Sequence, residues 1–177
     1  LIGIKFSLII SASFFIFLST AVSSEKIVIG QSAAFQGASS ALGRELWKGA
    51  DAFFSNINST GGVKGKYIEV RALDDSYNGD KTMSNTIKLV RDENVFALFG
   101  FVGTPTIVRA LPAIHKFNHE KKMFLFSNFT GAQPQRQAPY SEFVFNVRSS
   151  YRQETAGIIE HLVALGIKKI GVFTQND

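Results

Sequence analysis

A chain of 177 residues is enough for one domain, or for one domain and the opening of another. A hydrophobic share of 45% with 17 Phe makes a large core feasible and excludes intrinsic disorder. The formal charge of +5 is dispersed and argues against a nucleic-acid face, while the absence of cysteine excludes disulfides, thiolate metal sites, a cysteine nucleophile and a lipid-modified cysteine.

The chain opens on Leu1, and Lys5 precedes the apolar run FSLIISASFFIFL. Small residues follow from Ser19 to Ser24, so residues 1–24 read as a secretory signal with cleavage before Glu25. A membrane-anchoring helix would need about 20 apolar residues. This run is shorter and is interrupted by serines.

Lys26 to Gly30 reads as an apolar strand, followed by a loop of small residues with Phe35 and Gln36 at its centre. From Leu42 the apolar positions Leu46, Ala50, Phe53 and Ile57 recur at helical spacing until Gly61 and Gly62 end the helix. Tyr67 to Leu73 is the next expected strand, with Asp74 and Asp75 at its C-terminal end. Asp80 is the expected cap of a second helix that buries Met83, Ile87 and Val90.

Val95 to Phe99 has the length and bulk of a strand buried on both faces, and Gly100 and Gly103 permit a tight turn after it. Thr104 can then cap a helix that starts at Pro105 and buries Ile107, Leu111 and Ile114, with Pro112 bending it. Free backbone N–H groups and the Thr104 hydroxyl would face one point, which suits an anion. No lysine follows the glycines, so that anion is a small carboxylate rather than a nucleotide phosphate. The same residues would also make an ordinary strand-to-helix turn.

Met123 to Ser127 is the fourth expected strand, and a polar loop, Asn128 to Gly131, leaves it. Glu142 to Arg148 alternates sides as a fifth strand, and Ser150 with Gln153 forms a capping-box pair. The helix they open would bury Ala156, Ile159 and Val163 and end at Gly166, before a last strand, Lys169 to Thr174. A strand with no covering helix makes the chain read as a fragment. The alternation predicts an α/β fold, a Rossmann-like parallel sheet with helices on both faces and ligands bound at the carboxyl ends of the strands. Ser32 to Gly37, Gly100 to Thr104 and Asn128 to Gly131 meet there and place Phe35, Phe101 and Phe129 beside Thr104 and Thr130. These loops suit a molecule with a carboxylate head and an apolar body.

The ordered set IVIGQSAAFQGASSALGRELWKGADAFFSNINSTGGVKGKYIEV, DDSYNGDKTMSNTIKLV, ALFGFVGTPT, LFSNFTGA and VFNVRSSY resembles type I periplasmic binding proteins. Within them it is similar to the leucine/isoleucine/valine-binding branch, the substrate receptors of ABC importers. The resemblance implies two Rossmann-like lobes that close on a ligand. Residues 25–141 would form most of the first lobe, 142–148 the hinge crossing and 149–177 the start of a truncated second lobe. It implies a periplasmic receptor, not an enzyme, that takes an amino acid or related carboxylate or amide and delivers it to a membrane permease. No cofactor or nucleic-acid partner is implied.

Carried over residue by residue, the implied ligand contacts are Phe35 and Gln36 in the first loop, Phe101, Val102, Gly103 and Thr104 in the second, and Phe129, Thr130 and Gly131 in the third. The reading SNFTGA departs from the alanine- or serine-rich loop of branched-chain receptors. A sensory input module with this fold and a secreted α/β enzyme are the alternatives. The enzyme would need a convergent acid, base or nucleophile set, which these loops lack.

His115 and His119 stand at a spacing that can share a metal, but no third ligand is evident and the segment equally suits a solvated helix end. Asp74 and Asp75 could serve acid–base chemistry or start a turn. Neither nucleotide-binding glycine motif occurs, and the two glycosylation sequons, at Asn58 and Asn128, matter only in a eukaryotic secretory pathway.

Overall fold

The computed structural model describes residues 25–173, so the expected signal segment lies outside the described residues. Its elements are β1 (Lys26–Ala33), α1 (Ser40–Ser59), β2 (Tyr67–Asp74), α2 (Gly79–Arg91), β3 (Ala97–Phe99), α3 (Thr104–Lys121), β4 (Leu125–Phe126), β5 (Val144–Phe145) and α4 (Tyr151–Ala164). Two short 3₁₀ turns, Pro134–Arg136 and Tyr140–Glu142, join β4 to β5. The five strands pair in parallel in the order β2-β1-β3-β4-β5, as the βα alternation requires. The order reverses between β1 and β3, so the loops after these two strands flank the switch point.

The core lies between the sheet and the α2–α3 layer. Leu89 and Val90 from α2, and Ile107, Leu111, Ile114 and Phe117 from α3, close over Leu98, Leu125 and Val144 of the strands. The expected buried stripe of α3 is therefore the observed one. The expected stripe of α2 is rotated: Thr82, Thr86, Leu89 and Val90 are buried, while Ile87 is exposed and Met83 half-buried. The α2 cap is Asn78, whose side chain accepts from the Lys81 amide at 3.0 Å, rather than Asp80. Asp80 instead pairs with Arg109 on α3.

Helix α1 covers the opposite face only in part. It buries Gly43 alone, and the expected core residues Leu42 and Phe53 are exposed. The Phe54 ring meets Phe99 edge-on, but Phe96, Phe126 and Phe145 stay exposed, the last two stacked on each other at 4.9 Å. Phe96, 73% exposed, lies outside β3 and corrects the expectation that residues 95–99 are buried on both faces. A strand's period reports which residues share a face, while burial depends on what packs there.

The capping box at the start of α4 is present as expected: the Gln153 amide donates to the Ser150 hydroxyl and the Ser150 amide to the Gln153 side chain. The helix nevertheless buries none of its residues, and Ala156 and Val163 are exposed with Ile159 only half-covered. Residues 169–173 form no strand, correcting that expectation for the described residues, among which no strand runs beside them to complete a ladder. Helix formation here rests on local capping, and burial would need a further layer. No helix among the described residues is long and apolar enough to cross a membrane.

Candidate functional site

The first of the expected loops is held from below by an aspartate. Asp74, at the end of β2, accepts from the backbone amides of Phe35 at 2.7 Å and Gln36 at 3.2 Å and from the amide and hydroxyl of Ser76. Burial alone would raise this carboxyl, but the hydrogen bonds outweigh it and hold it below its ordinary value. Its neighbour Asp75 is fully buried and receives the hydroxyls of Ser32 and Thr82 and the Tyr77 amide. Burial pushes that carboxyl up, against the effect of those donors. Both carboxylates therefore tie turns together.

The two make opposite contributions to acid stability. A lowered carboxyl stabilises the fold above its unfolded value, near 3.9, and that contribution is lost as pH falls through the folded value. A raised one stabilises below the unfolded value and loses its effect as pH rises. Asp74→Asn is expected to flatten the loss of stability as pH falls below about 4, measured by urea melts; an unchanged pH profile would refute the role assigned to Asp74.

Arg44 donates twice to the Phe35 carbonyl, so the first loop is pinned from both sides. The half-buried Phe35 lines a shallow hollow with Trp47, Val70, Arg71 and Ala72. No residue of the second or third loop lines that hollow.

The second loop turns on Gly100 and Gly103, whose φ values of 62° and 106° lie in the left-handed region that favours glycine. A Cβ on Gly103 would stand 2.4 Å from the Tyr77 ring. Gly103 itself, not Thr104, is the cap of α3, and Thr104 is already helical. The expected ring of free donors is corrected in part: the Gly103 amide is spent on the Phe129 carbonyl at 3.2 Å. In return the Phe129 amide donates to Phe101 at 2.7 Å, and a parallel bridge joins Val102 to Phe129. The β3–β4 register thus continues beyond both strands and draws the second and third loops together.

That register places the Thr104 and Thr130 hydroxyls 2.8 Å apart. Tyr151, the first residue of α4, brings its phenol to the same pair, and its amide donates to the Gly131 carbonyl at 2.7 Å. Burial would raise the phenol, but its hydrogen bonds with Thr130, Thr104 and the Gly131 backbone, with the charge of Arg148, hold it below its ordinary value. The Arg148 guanidinium lies 5.4 Å from the Phe129 ring centre and 5.3 Å from that of Tyr151, and it pairs with Glu154. Beside it a hollow of about 250 Å³ is lined by Leu46, Ser127, Asn128, Phe129, Val147 and Arg148.

The structure thus unites Thr104, Phe129, Thr130 and Gly131 in one cluster with Gly103 at its edge. Phe35 and Gln36 belong to another part of the same rim. Phe101 and Val102 are wholly buried, Phe101 within the hydrophobic core, so their side chains face no cleft. Tyr151 and Arg148 were not singled out from the sequence. The one local signal was the Ser150 cap, which fixes Tyr151 at the first position of a helix.

The His115 and His119 Nε2 atoms stand 2.9 Å apart, with His115 stacked on Phe143. Among the described residues no group of three potential metal ligands forms.

Residues 26–177 match the family model described as periplasmic binding protein. An amino acid binding protein from Pseudomonas aeruginosa is 25% identical over 153 residues, covering 85% of this chain and 39% of that protein. The structure of a possible leucine/isoleucine/valine-binding protein from Rhodopirellula baltica is 34% identical, with a TM-score of 0.74 over 84% of this chain and 38% of that one. The substrate binding protein of a branched-chain amino acid transporter from Streptococcus pneumoniae, solved with isoleucine, is 25% identical with a TM-score of 0.59, over 71% and 34% of the respective chains. The chain therefore spans under two-fifths of the length of these relatives. With this match over nearly all the described residues, and with a parallel sheet whose loops meet at the carboxyl ends of its strands, the chain belongs to the periplasmic binding protein family.

Proposed function

We propose that this chain is the first lobe, residues 25–141, the crossing segment, 142–148, and the beginning of the second lobe, 149–177, of a periplasmic receptor that serves an ABC importer. The receptor captures an amino acid or a similar small carboxylate or amide and delivers it to the permease. The observation that carries the reading is the 2.8 Å approach of the Thr104 and Thr130 hydroxyls from two loops, with the start of α4 tied to the same loop by the Tyr151 amide on the Gly131 carbonyl.

Hydroxyls beside the Arg148 cation suit a carboxylate head. Asn128 lines the adjoining hollow, and its buried Oδ1 has no hydrogen-bond partner among the described residues, so a small shift of this side chain would offer an acceptor to an ammonium or amide N–H. The exposed Phe129 and Val147 offer apolar surface to the body of the ligand. A ligand that touched both lobes would favour the closed arrangement by its difference in affinity between the closed and open states.

The test is a thermal-shift panel of amino acids, amides, aromatic acids and short carboxylates on the complete, leader-free receptor, with calorimetry on each hit. At a hundred times its dissociation constant a ligand adds about 2.7 kcal/mol of stability. Thr104→Val is expected to abolish the shift while leaving the unliganded melt nearly unchanged; a full shift in that variant would remove Thr104 from the site.

A further inference from the structure

Arg136 lies in the 3₁₀ turn after the third loop, and its guanidinium binds carbonyls from two separate stretches of chain. Its Nε donates to Ala132 at 3.2 Å, and one terminal nitrogen reaches Arg148 at 2.9 Å, Ser149 at 3.1 Å and Thr130 at 3.4 Å. Thr130 and Ala132 belong to the third loop, while Arg148 and Ser149 lead into the Ser150 cap and Tyr151. Nε serves one stretch of the third loop and the terminal nitrogen the other carbonyls, and this division between two nitrogens held in one plane is what a single ammonium cannot reproduce.

We propose that Arg136 is a positioning residue for the ligand site: its guanidinium ties the third loop to the chain entering α4 and so holds Tyr151 over Thr104 and Thr130. The inference rests on the reading of that hydroxyl cluster as the ligand site. Arg136 is only half-buried, yet its cation is disfavoured by partial burial and by the nearby Arg148 charge, with Glu154 opposing. Solvation alone would turn such a side chain outward, so the carbonyls are what hold it. One hydrogen bond lies directly across the tie, from the Tyr151 amide to the Gly131 carbonyl at 2.7 Å, while the Ala132 amide donates to the Thr130 hydroxyl at 3.1 Å within the third loop. Loss of the guanidinium leaves the Tyr151–Gly131 bond as the direct link between the third loop and the start of α4.

The experiment compares Arg136→Met and Arg136→Lys with the parent in the complete, leader-free receptor. Hydrogen exchange is followed at the amides of Ala132, Tyr151, Leu111 and Ile114, and the Tyr151 phenol is titrated by absorbance difference against Tyr151→Phe. Arg136→Met is expected to speed exchange at Ala132 and Tyr151 at least tenfold, to leave Leu111 and Ile114 unchanged, and to move the phenol back toward its ordinary value. Arg136→Lys is expected to show a smaller change in the same direction, and it decides the matter if the methionine variant fails to fold. Affinity for L-isoleucine or benzoate, whichever the parent binds, is expected to fall at least tenfold in Arg136→Met. An unmoved Tyr151 titration overturns the proposal, as does equal acceleration of the Leu111 and Ile114 amides, which marks general loosening. If the parent binds neither probe, the exchange and phenol results decide what Arg136 does.

Discussion

Gly43→Ala is expected to destabilise the protein by about 2 kcal/mol, although alanine is the better helix former. Gly43 is the buried residue of α1, and a Cβ there would stand 2.1 Å from the Ala34 carbonyl oxygen and 2.9 Å from its carbon. These are backbone atoms just beyond β1, so no rotamer change relieves the overlap. The helix must move away from the sheet.

In the opposite direction, a helix interior gains up to about 1 kcal/mol when glycine becomes alanine. Overpacking of 1 Å or more outweighs that gain. Gly49 separates the two effects, because it lies on the same helix, is exposed, and has nothing within 4 Å of an added Cβ. Gly49→Ala should raise the urea midpoint and Gly43→Ala lower it, each with an unchanged slope. Equal midpoints for the two variants would show that the close approach of α1 to Ala34 does not matter. Because Ala34 precedes Phe35, the displacement should also disturb the loop that Asp74 and Arg44 hold in place.

The second large effect is expected at Gly131. A Cβ here would stand 2.5 Å from the Tyr151 ring and 2.8 Å from its backbone nitrogen, where the Gly131 carbonyl accepts the Tyr151 amide. Gly131→Ala must therefore push Tyr151 off the Thr104–Thr130 pair. If the proposed site is the binding site, affinity for L-isoleucine or benzoate on calorimetry is expected to fall more than tenfold, or about 1.4 kcal/mol. Gly157 on α4 is the control, since nothing lies within 4 Å of a Cβ there. Gly157→Ala should leave affinity unchanged, and parent-like binding by Gly131→Ala would show that Tyr151 has no part in capture.

Several features depend only on local pattern, and these were legible in the sequence. The buried stripe of α3, Ile107, Leu111 and Ile114, follows from a period of 3.6 residues, and the Ser150–Gln153 capping box from two side chains three positions apart. The positive φ of Gly100 and Gly103 follows from a turn that must reverse within a few residues after an apolar strand. The order of strands and helices, and with it the parallel sheet, follows from the same periodicities.

Tertiary structure alone decided which apolar residues are covered and which hydroxyls meet. Phe96 and Phe101 stand in one apolar run, yet the first is 73% exposed and the second lies in the core. Periodicity can say that residues share a face, but not what covers it. The apolar positions of α4 are exposed for the same reason. Thr104 and Thr130 are 26 residues apart, and only the Val102–Phe129 bridge beyond β3 and β4 makes them neighbours. Tyr151, Arg148 and Arg136 reach the site through backbone carbonyls and ring faces, whose positions depend on strand register and on the path from β4 into α4. Their residue types carry no trace of that path, so the sequence determined the frame and the tertiary structure assembled the site upon it.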